Sequence, residues 1–90
     1  NIPFHITVES AWELWLKQGG KCALSGLELL LPAKSRQRSN ATASLDRIDS
    51  SKPYVAGNVQ WVHKKINMMK NHMTESELLQ FCKLIAKHKG

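Results

Sequence analysis

The side chains with chemistry to offer cluster between Ser44 and Asn71, in SLDRIDSSKPYVAGNVQWVHKKINMMKN. Asp46 falls on an expected strand, and Asn67 on an expected helix that packs back across the hairpin. A carboxylate and a side-chain carbonyl held on two rigid elements can bind a hard divalent cation. Mg²⁺ suits such a pair because it needs few protein ligands and keeps waters for a substrate phosphate. If the helical turn begins by His63, then His63, Asn67 and Asn71 recur at i, i+4 and i+8 as one polar stripe. Ile66, Met69 and Met73 then form the apolar face. Asparagine is a poor residue for a helix interior, so two at i, i+4 need a reason. A solvent-facing stripe is the ordinary one, and contact with metal or phosphate is the functional one.

The elements that must position these groups follow from periodicity and capping. TVESAWELWLKQGG reads as a first helix with Thr7 as N-cap and Gly19 as stop. Val8, Ala11, Trp12, Trp15 and Leu16 share one face, which is expected to be core. KCALSGLELLLP is extended, with Ser25-Gly26 as a turn and Pro32 as its end. AKSRQRSNATA carries Lys34, Arg36 and Arg38 without apolar periodicity and reads as an exposed basic loop able to track a phosphate backbone. ASLDRID is a strand, SSKPYVAG a turn, and NVQWV the returning strand. Val59 and Trp61 alternate with Gln60 to give one buried face. In TESELLQFCKLIAKHKG, Thr74 and Glu77 form a capping box, and Leu78, Cys82 and Ile85 line the core face. The fold class expected is α+β, as one small domain over residues 1–90.

Composition narrows the function classes. Thirteen Lys+Arg against seven Asp+Glu leave a net charge of +6 on 90 residues. A small basic domain commonly binds a polyanion, with nucleic acid the first candidate and a merely soluble basic protein the alternative. No apolar run approaches bilayer length and no signal peptide is visible, so no membrane partner and a cytoplasmic location are expected. Cys22 and Cys82 are far apart and belong to no C-x-x-C pair. A zinc ribbon is disfavoured on that ground, and both read as buried or half-buried thiols.

The stretch from Ser44 to Asn71 resembles the ββα-metal finger of HNH endonucleases, particularly small phage-type and homing-type ones. The finger would occupy residues 43–73 or so, and CALSGLEL resembles the lead-in that precedes it. In that family a D-H pair ends the first strand, an asparagine opens the second, and a third residue lies on the helix nine positions later. Asp46 takes the place of the metal-ligating acid. Asn58 takes the middle asparagine, which holds the turn. Asn67 takes the helix ligand, nine positions after Asn58. Asn71 matches a further ligand seen in some members. The resemblance implies cleavage of phosphodiester bonds in double-stranded DNA with one divalent ion, Mg²⁺ or Mn²⁺. Lys34, Arg36, Arg38, Lys64 and Lys65 would contact the nucleic acid. Such domains often work as homodimers or with further domains in a longer protein.

The departure is Arg47, which stands where the family has its general-base histidine. Arginine stays protonated and has no acceptor nitrogen, so it cannot take a proton from water. It can hold a phosphate and stabilise its developing charge. His63 is the first candidate for the base, Asp49 the second and His72 the third. Asp49 is otherwise expected to be structural, pairing with Arg47 or capping the turn. The alternative is a DNA-binding module whose cleavage is weak or lost because of Arg47. A structural zinc protein built on Cys22, Cys82 and histidines is a third reading that fits no usual ligand spacing.

Overall fold

A computed structural model describes residues 5–31 and 41–90, so the basic-loop residues Lys34, Arg36 and Arg38 lie outside the described residues. The order is α1 (Val8–Gln18), β1 (Ala43–Arg47), β2 (Val59–His63), α2 (Lys64–Lys70) and α3 (Glu75–Lys89). This is the expected α+β arrangement of a hairpin and helix flanked by helices. Among the described residues no helix is long and apolar enough to cross a membrane.

α1 starts and stops where its residues require. The Thr7 hydroxyl accepts from the Ser10 N–H, satisfying one of the donors orphaned at a helix start. At the other end Gly19 turns left-handed at φ 67°, and the N–H groups of Gly19 and Gly20 donate to Leu16 O and Trp15 O. Gly20 is left-handed too, and a Cβ there would sit 3.2 Å from the Trp15 ring.

The expected core face of α1 is a correction. Val8, Trp12 and Leu16 are 82%, 51% and 60% exposed. The helix instead turns Ala11, Leu14, Trp15 and Gln18 inward, all of them half-buried. Two polar anchors set that rotation. Trp61 Nε1 donates to Ala11 O at 2.9 Å. Gln18 behaves as a one-residue strand beside β2, accepting from Trp61 N at 2.8 Å and donating to Trp61 O at 3.0 Å. Trp15 then meets Trp61 edge-on, with centroids 5.4 Å apart.

The segment after α1 folds into a tight turn closed by the Cys22 N–H on Leu27 O and by a bridge between Lys21 and Glu28. Cys22, Leu29 and Val62 form the core, with Trp15, Leu24, Ala43, Trp61 and Ile66 packed around it. Both cysteines are free, Cys22 buried and Cys82 half-buried. Burial pushes the Cys22 thiol up, but the Ser25 hydroxyl and the N–H groups of His63, Ser25 and Leu24 outweigh it and leave the pKa lowered.

The hairpin is antiparallel, with Asp46 opposite Gln60 and Leu45 opposite Trp61. Both of its faces are covered, not one as the alternation suggests. Trp61 points to α1, while Ser44, Asp46, Gln60 and Val62 share the face that receives α2. α2 also departs from the expected register. Its inward positions are Ile66, Asn67 and Lys70, with Met73 half-buried beyond the helix end, whereas Met69 is exposed. α3 carries the expected capping box, with Thr74 and Glu77 exchanging both hydrogen bonds. It touches only α2 among the elements, so Leu78 is buried while Ile85, placed on the same face by periodicity, is exposed.

Candidate active site

Asp46 lies in β1 and is 5% exposed. Its Oδ2 accepts two hydrogen bonds, from Gln60 Nε2 at 2.9 Å and from Lys70 Nζ at 2.7 Å. Gln60 is the cross-strand partner of Asp46, so the sheet register itself supplies the first donor. Lys70 comes from the last turn of α2 and is completely buried. Its ammonium also donates to Arg47 O at 2.6 Å and to Ile48 O at 3.4 Å, which accounts for all three of its donors. Asp46 Oδ1 makes no hydrogen bond within the described residues.

Asp46 also lines an open pocket of about 240 Å³, together with Arg47, Ser50, Tyr54, Asn67, Met68, Asn71 and His72. The Asn67 amide nitrogen is turned to the strand, donating to Ser44 Oγ at 2.6 Å and to Leu45 O at 3.4 Å. That leaves its carbonyl oxygen as the donor atom available to the pocket. Asn71 follows the end of α2, not a helical position eight residues after His63, with φ 47° and ψ −113°. The Met73 N–H donates to Lys70 O, closing a turn of the II′ type with Asn71 at its first central position. This is the one positive-φ residue other than glycine among the described residues. Backbone strain of this kind costs about 1–3 kcal/mol and gathers at functional sites. Asn71→Gly is therefore expected to raise stability by about 1 kcal/mol in urea melts while reducing whatever activity uses the carboxamide. A variant no more stable than wild type would show that the turn is unstrained.

The loop between the strands is organised by Asn58, which is buried. Its Oδ1 accepts from Asp49 N at 2.9 Å, and its Nδ2 donates to Asp49 O at 3.1 Å and Pro53 O at 2.9 Å. Asp49 forms a turn with Ser51, accepting from its hydroxyl at 2.6 Å and its N–H at 2.9 Å. Those two bonds hold the Asp49 carboxyl below its usual range, helped by Lys52 and Arg47 nearby. Asp49's contribution is thus present above the ordinary carboxylate range and fades as pH falls through the lowered value. Arg47 does not hydrogen-bond to Asp49. One guanidinium nitrogen donates to Ser50 O at 2.6 Å and Lys52 O at 3.1 Å, and the group lies 5.3 Å from the centroid of the Tyr54 ring.

The candidate residues therefore divide. Asp46, Arg47, Asn67 and Asn71 meet at the pocket. Asn58 and Asp49 lie behind it in the turn. His63 is not part of the stripe with Asn67: it is the N-cap of α2, extended at ψ 136°, and its Nδ1 accepts from Lys65 N at 3.1 Å. The capping bond occupies one ring nitrogen, and the side chain does not line the pocket. His72, the last-ranked base candidate, does. Lys64 and Lys65 are exposed at the start of α2. Sequence reasoning missed Lys70 and Gln60. A signal for Lys70 exists, because a lysine at i+4 from Ile66 and i−3 from Met73 stands where an apolar residue would complete the inward face.

The pocket's Asp46 carboxylate and the amides of Asn67 and Asn71 offer hard oxygen ligands of the kind Mg²⁺ or Mn²⁺ takes, and the His72 imidazole, a borderline ligand, stands beside them. Among the described residues no three His, Cys, Asp or Glu side chains gather as a metal-binding group, so the zinc-protein reading finds no ligand set there. No protein-family model matches the chain, and no curated protein matches it.

Proposed function

We propose that this domain is a metal-dependent endonuclease of the ββα-metal, HNH-like type that hydrolyses phosphodiester bonds of double-stranded DNA. The observation that carries this reading is the meeting of Asp46, Asn67, Asn71 and His72 at one open pocket. Asp46 Oδ1 and the Asn67 carbonyl, with Asn71 beside them, would hold one Mg²⁺ or Mn²⁺. Such an ion supplies Lewis-acid polarisation of the scissile phosphate and charge stabilisation for the leaving oxygen.

The chain's own groups supply the rest. His72 takes the role of general base, since imidazole accepts a proton from water near neutrality and this one opens on the pocket. His63 is set aside for that role because its ring caps α2. Arg47, with one nitrogen committed to the turn, orients the loop and presents its remaining N–H groups to a phosphate. The net charge of +6 and the exposed Lys64 and Lys65 favour a polyanionic partner. The cytoplasm is the compartment proposed for this activity.

A second reading, a DNA-binding module without cleavage, is favoured by one observation. Arg47 stands in the family's base slot with its guanidinium tied to Ser50 O and Lys52 O. Plasmid nicking with Mn²⁺ or Mg²⁺ separates the two. Wild type is expected to nick, and His72→Ala to be slower by about 10²–10⁴-fold, the usual contribution of a general base. Asn67→Ala is expected to lose activity, and His63→Ala to retain it. Salt-dependent DNA binding without nicking by wild type under either metal would establish the second reading instead.

A further inference from the structure

We propose that Lys70 is a built-in competitor of the divalent ion, an internal cation that keeps the Asp46 site weak for metal until a phosphate-bearing substrate adds negative charge. The proposal rests on the nuclease-type reading above and adds to it a rule for when the site loads.

The geometry carries it. Among the described residues Asp46 is the one carboxylate lining the pocket, and its Oδ2 is held at 2.7 Å by the ammonium of the buried Lys70. Gln60 binds the same oxygen, so both partners are taken up by Oδ2, and Oδ1 is left without a hydrogen bond among the described residues. Lys70 does not line the pocket, yet its charge lies one carboxylate away from it. An ion arriving at Oδ1 therefore meets an already neutralised pair. Asn67 and Asn71 bring dipoles but no charge, so they do not restore the balance. In a partly buried site this repulsion is poorly screened. A phosphodiester beside Arg47 and His72 supplies the missing negative charge, so metal and substrate are expected to bind together and each to strengthen the other.

A structural role for Lys70 and a competing role predict opposite signs. If Lys70 only held Asp46 in place, neutral replacements would loosen the ligand and weaken metal binding. If it competes, Lys70→Met and Lys70→Gln tighten Mn²⁺ binding in the absence of DNA. The Lys70→Gln variant keeps a donor for Oδ2 without the charge. Mn²⁺ affinity is measured calorimetrically on the full chain, and thermal melts are recorded with and without Mn²⁺. Affinity at least tenfold tighter than wild type is expected for both variants, with a larger Mn²⁺-dependent rise in melting temperature. A variant that folds only when Mn²⁺ is added gives the same result in stronger form. Unchanged or weaker affinity in folded Lys70→Gln, or failure of both variants to fold at any Mn²⁺ concentration, overturns the proposal. Failure of the underlying reading looks different: adding Asn67→Ala to Lys70→Gln would then leave the tightened affinity untouched, and wild type would not nick DNA.

Discussion

Asp46→Ala is expected to unfold the domain, or nearly so, before it reports on chemistry. The substitution strips the fully buried Lys70 ammonium of its one counter-ion among the described residues, the partner 2.7 Å away. Breaking a buried ion pair from one side costs about 3–5 kcal/mol, because a charge is left without compensation in a low dielectric. That is a large share of the roughly 5–15 kcal/mol that stabilises a typical domain. The carbonyls of Arg47 and Ile48 still accept from Lys70 and keep the loss from being larger. Urea denaturation measures it, and a loss under about 1 kcal/mol would mean that water reaches the pair in solution. Replacing both partners, Asp46→Leu with Lys70→Met, is expected to recover most of the stability without recovering any activity. Asp46→Asn is a milder probe, since it keeps a carbonyl oxygen for Lys70, but it too leaves the ammonium without a counter-ion, so its activity is read only beside its own urea melt. Absence of nicking by Asp46→Ala alone is evidence for a metal ligand only if the variant is folded at the assay temperature.

Asn58→Ala is expected to cost about 3 kcal/mol, near 1 kcal/mol for each of three part-buried hydrogen bonds made by a buried side chain. Asn58→Asp tests the same arrangement more sharply. The side chain is nearly isosteric, and Oδ1 could still accept from Asp49 N. The second oxygen would face the carbonyls of Asp49 and Pro53, where the amide now donates, and would be repelled by both. Aspartate is therefore expected to be at least as damaging as alanine. Chemical denaturation of the three proteins ranks them. An aspartate variant close to wild type in stability would show that the amide does not hold this loop. Either substitution is also expected to reduce activity, because the loop between the strands carries Ser50 and Tyr54 to the pocket wall.

Local signals and tertiary ones decide different parts of this molecule. Thr7, Gly19, Thr74 and Glu77 act on backbone groups within a few residues of themselves, and the helix ends they mark are those observed. The hairpin is legible for the same reason, since alternation and a Ser-, Pro- and Gly-containing turn are local properties. Asn58 at its strand start was singled out by the resemblance, and its three bonds stay within nine residues. The rotation of α1 was not legible. Trp12 and Trp15 compete for the interior on equal terms by periodicity, and the choice falls to Gln18 and Ala11 O, which bond to Trp61 more than forty residues away.

The site divides along the same line. Residue types and spacing singled out Asp46 on a strand and Asn67 on a helix as candidates, and both elements are observed because their separation follows from local geometry, whereas Asn71 falls past the end of α2. The choice between His63 and His72 depended on where α2 begins and ends. A capping bond to Lys65 N turned one ring away, and a II′ turn after Lys70 brought the other to the pocket. The Asp46–Lys70 pair joins residues twenty-four positions apart and exists only once α2 lies across the hairpin. A charge pattern along the chain carries no record of which lysine will be sealed from water. Burial decides that, and burial belongs to the packed molecule.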